Sequence, residues 1–208
     1  LNDALCTGTS SGSAMITTAP LPTAVVSGGG TICSGDPIPD VTITLTGTGP
    51  WDFTYTDGVT PVSITGQATS PYTISGGGDG TYTVTAVNDA LCTGTTSGSA
   101  TIVTDPLPTA FISGGGIICI GDPIPSITIA LTGNAPWDFT YTDGVTPVSV
   151  TGIAASPYVI AGALDGTYTV TALSDANCTG TSLVGSATIT TNSLPTAVVS
   201  GGGTICSG

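Results

Sequence analysis

The chain contains no lysine, arginine, histidine or glutamate, and its 13 acidic residues, all Asp, leave a formal charge of −13 with no cation to offset it. Without Lys or Arg there is no counter-charge for phosphate, so nucleic acid and anionic membrane surfaces are excluded as partners. Without His, Lys or Glu the usual general bases are missing, and only Asp, Tyr, Cys and hydroxyl groups remain for proton transfer. No enzyme is expected. Aromatic residues make up 5% of the chain, and the long straight-chain residues that favour helices are nearly absent. No apolar run reaches the length needed to cross a bilayer, so membrane insertion is not expected. The first residue is Leu1, with no initiating Met or signal peptide, and the expectation is a window from a longer array.

What is present is Thr (41 residues) and Gly (31 residues), the vocabulary of strands and turns. It is also periodic. Cys6, Cys92 and Cys178 recur every 86 residues, as do Cys33 and Cys119, and Trp51 and Trp137. The block PWDFTYTDGVTPVS stands unbroken at 50–63 and again at 136–149. A fixed period of this length marks copies of one supersecondary unit. The expected divisions are 1–19, the end of a preceding copy; 20–105 and 106–192, two complete copies; and 193–208, the start of another.

Within a copy apolar residues alternate with period two, as in Val41-Thr-Ile-Thr-Leu, Trp51-Asp-Phe-Thr-Tyr and Tyr82-Thr-Val-Thr-Ala-Val. This is the pattern of half-buried strands. Turn chemistry falls between them at Gly28-Gly29-Gly30, Asp57-Gly58 and Gly76–Gly80. About seven short strands per copy are expected, folded as a small antiparallel β-sandwich. Pro20-Leu21-Pro22, Pro106-Leu107-Pro108 and Ser193-Leu194-Pro195 are expected to be extended junctions that hold successive copies apart in a rod-like array.

Six cysteines without His or a CxxC pair point to disulfides in an oxidising compartment rather than to zinc. Pairing within the copy joins Cys33 to Cys92 and Cys119 to Cys178, leaving Cys6 and Cys206 as halves of further bridges. The first and last connections of a plain sandwich lie at opposite ends, so this pairing requires Gly28–Gly30 to fold the leading segment back. A rival register joins Cys6 to Cys33, Cys92 to Cys119 and Cys178 to Cys206. The within-copy pairing is the favoured expectation.

Taken together, ISGGGxIC-x-GD-x-I, APWDFTYTDG, SPYxI, DGTYTVTA and DANCTGT resemble the tandem immunoglobulin-like modules of giant cell-surface and secreted proteins of Bacteroidota. The resemblance covers the whole sequence. It implies an immunoglobulin-like fold, an extracellular or cell-surface location, export by the type IX route, and a spacer or adhesive role in which self-association into a filament is expected. It carries over no catalytic residue and no cofactor.

Candidate sites are few. Trp51 and Trp137 begin a strand and are expected in the core; the alternative is an aromatic platform for sugar. The recurring carboxylates Asp36/Asp122, Asp52/Asp138, Asp57/Asp143, Asp79/Asp165 and Asp89/Asp175 are expected in turns, with calcium as the alternative. Asn177-Cys178-Thr179 matches the N-glycosylation pattern, but a bridged Cys178 argues against its use. The expected function is therefore structural, a stalk, adhesin shaft or filament. The alternative is a polysaccharide-binding array using repeated aromatics, calcium and surface glycan contacts.

Overall fold

The computed structural model describes residue 5 and residues 7–208. Among them there is no helix, and so none long and apolar enough to cross a membrane. The chain is all-β and divides into two compact units. Unit 1 comprises Leu1–Thr31 and Pro37–Val103, and unit 2 comprises Ile32–Asp36 and Thr104–Gly208.

Unit 1 holds β1 (Thr23–Gly28), β2 (Gly30–Cys33), β3 (Val41–Thr46), β4 (Trp51–Thr56), β5 (Pro61–Gln67), β6 (Tyr72–Ile74), β7 (Gly80–Asn88), β8 (Thr95–Gly98) and β9 (Ala100–Asp105), except that the last two residues of β2 and of β9 fall in unit 2. They form a four-stranded sheet in the order β6-β3-β1-β8 and a five-stranded sheet in the order β2-β9-β7-β4-β5. Alternation does what the sequence pattern requires. Val41, Ile43 and Leu45 of β3 point inward against Trp51 and Phe53 of β4, and the Thr residues between them face outward or stay half-buried. In β7 the alternation slips. Tyr82 and Val84 are buried, but the next inward residue is Val87, and Ala86 is exposed. A bulge opposite Thr54 and Tyr55 inserts one residue and reverses the facing.

The second unit repeats this plan with β10 (Thr109–Cys119), β11 (Ile127–Thr132), β12 (Trp137–Thr142), β13 (Pro147–Ile153), β14 (Tyr158–Ile160), β15 (Gly166–Ser174), β16 (Ser182–Val184) and β17 (Ala187–Asn192). Here the first strand is unbroken. Its opening half pairs antiparallel with β11 and parallel with β16, and its closing half, Gly115–Cys119, runs parallel to β17.

Three expectations need correction. The strands number nine and eight rather than about seven, because the leading strand serves both sheets and β8 and β16 are separate short strands. The sandwich is not wholly antiparallel, since the leading strand runs parallel to β8 in the first unit and to β16 and β17 in the second. The junction prolines are not all linkers: Pro22 and Pro108 are fully buried, and the Pro22 carbonyl accepts a hydrogen bond from Thr95 N at 3.0 Å.

The Gly28-Gly29-Gly30 run is what moves the leading strand from one sheet to the other. Gly29 has φ +70°, and a Cβ there would lie 2.5 Å from the Thr101 carbonyl oxygen, so only glycine lets the backbone turn and approach β9. Gly115 stands in the same way against Thr188.

Candidate functional site

Four of the cysteines stand in turns of just two kinds, each occurring twice. Cys33 ends β2, where its N–H donates to Asp36 Oδ2 at 3.3 Å and its carbonyl accepts from Asp36 N at 2.9 Å. Cys119 ends β10 with the same pair of bonds to Asp122, both 3.0 Å. Cys92 and Cys178 follow an Asp by three residues. Cys92 N donates to Asp89 Oδ1 and Cys178 N to Asp175 Oδ1, each at 2.7 Å, and the Asp N–H returns a bond to the cysteine carbonyl at 3.0 and 2.9 Å. An Asp that accepts from the backbone two and three residues on closes a turn without needing any other residue.

Among the described residues one bridge is formed. Cys33 and Cys178 are joined with 5.7 Å between their Cα atoms and 145 residues of chain between them. Cys92, Cys119 and Cys206 are free thiols. This corrects the expected pairing: neither Cys33 with Cys92 nor Cys119 with Cys178 is bonded, and the rival pairs Cys92 with Cys119 and Cys178 with Cys206 are not bonded either. Cys6 lies outside the described residues, but Cys33 is already taken. The glycine run explains the outcome. Instead of folding the leading segment back toward Cys92, it carries the segment along β9 to that strand's exit end, where Ser34 N donates to the Asp105 carbonyl at 2.8 Å. At the same place the side-chain amide of Asn177 donates to Asp105 Oδ2 at 2.6 Å, which brings the neighbouring Cys178 to Cys33. The early cysteine of one sequence copy is thus bonded to the late cysteine of the next, within the unit that contains both residues.

The recurring carboxylates are engaged in local structure. Asp57 Oδ1 accepts from Val59 N and Thr60 N at 2.8 Å, and Asp143 Oδ1 from Val145 N and Thr146 N at 2.8 and 2.7 Å. Asp52 and Asp138 each take the N–H of a glycine on the neighbouring strand, Gly66 and Gly152, at 2.7 Å. Asp165 accepts from both the hydroxyl and the N–H of Thr191, at 2.7 and 3.0 Å. These donors favour the ionised form. Backbone N–H groups of Thr60 and Val59 lower the pKa of Asp57, those of Thr146 and Val145 lower Asp143, and those of Leu91 and Cys92 lower Asp89. For Asp165 the Thr191 hydroxyl leads. At Asp175 burial pushes the pKa up, but three backbone N–H donors, from Asn134, Asn177 and Cys178, outweigh it and the net shift is down. Among the described residues no three Asp or Cys side chains gather in a group that could hold a metal ion.

Trp51 and Trp137 are 8% and 7% exposed, and each indole N–H donates to a backbone carbonyl five residues earlier, of Thr46 at 2.9 Å and Thr132 at 3.0 Å. They are core residues with a satisfied polar atom, so the best candidate sugar platform is inside. Tyr82 and Tyr168 are also buried and donate to the carbonyls of Gly78 and Leu164 at 2.9 Å. Sequence reasoning did not single out these tyrosines, although DGTYTVTA in both copies contains them. Among the described residues Phe111 is exposed, and Tyr55, Tyr72, Tyr141 and Tyr158 are half-buried. Tyr55 lines a shallow recess with Asp57, Thr60 and Tyr82, and Tyr141 lines its counterpart with Asp143, Thr146 and Tyr168. Burial raises the pKa of Tyr55, Tyr82 and Tyr141.

No protein-family model and no curated protein sequence matches the chain. Solved structures do. The I-band fragment I67-I69 from titin superposes with a TM-score of 0.55 at 14% identity, over 86% of this chain and 67% of that one. An E-to-A mutated variant of the same three-domain fragment gives 0.55 at 15% identity, over 85% and 65%. The DIP-gamma IG1+IG2 structure gives 0.48 at 13% identity, over 83% and 98%. The chain spans about two thirds of the length of the titin fragments. At these identities the likeness concerns the fold, which is immunoglobulin-like.

Proposed function

We propose that the chain is a structural, non-enzymatic extracellular protein, a stalk, adhesin shaft or filament built of repeated immunoglobulin-like modules on a bacterial surface. The observation that carries this reading is the bond from Cys33 to Cys178, which ties one sequence copy to the next through a covalent link independent of the backbone. A bridge of this kind serves a part that must stay joined, and it persists only in an oxidising compartment. The immunoglobulin-like fold fits that location, and the titin fragment shows the same fold used as consecutive modules. The absence of Lys, Arg and His and the use of Asp to close turns leave no constellation suited to acid–base chemistry. Self-association into a filament, the bacterial source and the type IX export route rest on the resemblance of the repeat motifs.

The test is immunogold microscopy of intact source cells with an antibody against this chain. Label along structures outside the envelope is expected, and label confined to the cell interior would overturn the proposal.

A second reading rests on the paired recesses of Tyr55 and Tyr141, each beside an Asp. Their repetition suits a polysaccharide-binding array, with calcium as its cofactor. Saturable binding to a glycan panel that disappears on chelation would favour it, whereas the structural reading expects none.

A further inference from the structure

The two units are close copies of each other, but they differ on one sheet face. In unit 1 the outward row of the four-stranded sheet is Ser97, Val25 and Thr44, with Thr73 in the next row. In unit 2 the same places on β16, β10, β11 and β14 hold Val184, Phe111, Ala130 and Val159. All four are exposed, and Val184, Phe111 and Val159 are so at 51%, 52% and 49%. We infer that this face of unit 2 is a self-association surface, on which a second copy of the chain docks its own identical face about a two-fold axis. The inference rests on the structural reading above and adds to it the surface through which copies meet.

Four observations carry it. The first is that the apolar set belongs to one unit only. A contact between successive copies of one chain would call for the same residues in every copy, and unit 1 has hydroxyls at three of the four places. The face also lies along the side of unit 2. The chain enters at Thr109, where β10 begins, and leaves at Asn192, which is aligned with Cys119 at the other end of the same strand. Neighbouring parts of the chain therefore attach at the two ends of β10 and not on the face between them.

The second observation is charge. The chain has 13 Asp and no cation, so two copies repel wherever carboxylates meet. No Asp lies on β10, β11, β14 or β16, whereas the opposite sheet carries Asp138 on β12. Two like-charged copies can close on this face without bringing carboxylates together, and a cationic partner would find nothing on it to pair with.

The third is the low cost of drying the face. The hydroxyls on either side of the apolar row are bonded to each other, Thr109 to Thr132 at 2.7 Å and Ser113 to Thr128 at 3.1 Å. Polar groups that already have partners lose little on leaving water. The fourth is shape. Phe111 and Ala130 are direct cross-strand partners, the largest and smallest side chains of the apolar set. A two-fold axis between them, normal to the sheet, sets each Phe111 over the Ala130 of the other copy, which is the reciprocal contact of an isologous interface. The corresponding pair in unit 1, Val25 and Thr44, offers neither ring nor hollow.

Size sets the strength. The face is four strands wide and, along β11, six residues long. Strand spacing and rise make this about 19 Å by 20 Å, or about 400 Å² on each copy. That is about half of what a standard interface buries per partner. A weak dimer is expected, with a dissociation constant on the order of 0.1–1 mM.

The test uses the full chain with Cys6→Ser, Cys92→Ser, Cys119→Ser and Cys206→Ser, which keeps the Cys33–Cys178 bridge and prevents covalent linkage. Its translational diffusion is followed by NMR up to about 2 mM, at salt high enough to screen the charge. A reversible monomer–dimer equilibrium is expected, with concentration-dependent amide shifts confined to β10, β11, β14 and β16. Phe111→Asp removes the ring and Ala130→Phe fills the hollow. Each should weaken the dimer by about tenfold or more while the circular dichroism spectrum stays unchanged, and Phe111→Thr replaces Phe111→Asp if the latter unfolds. Val25→Asp, at the same place in unit 1, should leave the dimer as it is. A chain that stays monomeric, shifts on other strands, a dimer that survives the Phe111 and Ala130 substitutions, or one weakened equally by Val25→Asp overturns the inference. So does a monomer that binds neutral phosphatidylcholine vesicles through Phe111, which would make the face a lipid surface. The immunogold experiment reads location alone, so failure here leaves its result standing.

Discussion

The indole nitrogen of Trp51 lies 2.9 Å from the carbonyl oxygen of Thr46, which ends the strand that precedes it in the chain. The ring packs into the unit 1 core while its one polar atom secures the turn between β3 and β4. Replacing Trp51 or Trp137 with Phe removes volume and leaves a part-buried carbonyl without its donor. A loss of about 2 kcal/mol is expected, combining an unsatisfied carbonyl with a small cavity. Urea unfolding followed by circular dichroism checks it.

Gly29 and Gly66 form a natural control pair. Both have positive φ, +70° and +69°, but a Cβ on Gly29 would meet the Thr101 carbonyl whereas one on Gly66 would meet nothing within 4 Å. Gly66→Ala should cost about 1 kcal/mol, the left-handed penalty alone. Gly29→Ala should cost more, about 2–3 kcal/mol, because β2 must also move off β9. Equal losses would mean that the close approach contributes nothing.

The effect of reduction can be read mechanically. With the chain held at its two ends, the residues between Cys33 and Cys178 are shielded from extension while the bridge is intact. A reductant should add about 500 Å of contour length, from 145 residues at 3.3–3.6 Å each. The same length should appear without reductant in Cys33→Ser. Full extension of the oxidised wild-type chain would contradict the bridge.

Acid should destabilise the fold. Asp57, Asp89, Asp143, Asp165 and Asp175 have pKa values lowered by folding. Their contribution is therefore complete above the unfolded value of about 3.9 and is lost as pH falls through the lower folded values. Thermal stability should hold from pH 7 to about 5 and decline below about 4. At the other extreme, Tyr55, Tyr82 and Tyr141 are raised by folding, so stability should fall as pH climbs past about 10, where the unfolded phenols ionise first. Melting curves across pH 2–11 check both limbs.

Any association between copies should strengthen with salt, because copies that carry only negative charge repel one another and screening removes the repulsion. Sedimentation at 0.05 and 1 M salt checks this, and dissociation at the higher concentration would contradict it.

Strand alternation, the buried Trp positions and the turn role of Asp were legible because each is decided within a few residues. What was not legible depends on partners far along the chain. Residues 21–35 and 194–208 have the same sequence, yet the first forms β1 and β2 while the second forms no strand. Val26 is 4% exposed and its counterpart Val199 is 95% exposed. Local propensity is identical, so only the companions β3, β8 and β9 make the difference. The cysteine register failed for the same reason. The turns around Cys33 and Cys178 are local, but which turn meets which follows from the path the glycine run gives the leading strand. The reversal in β7 escaped because a bulge breaks the two-residue rhythm on which the reading relied.

The span of the Cys33–Cys178 bridge bears on wear. Its loop of 145 residues is longer than the 86-residue repeat. A single cut anywhere between the two cysteines leaves both fragments covalently attached. Carried from copy to copy in the same register, such loops overlap, so that every peptide bond is enclosed by at least one of them. A polymer made this way does not part at its first break. With no Lys or Arg to admit trypsin-like proteases, it would tolerate scattered proteolytic damage that would sever an ordinary chain of linked domains.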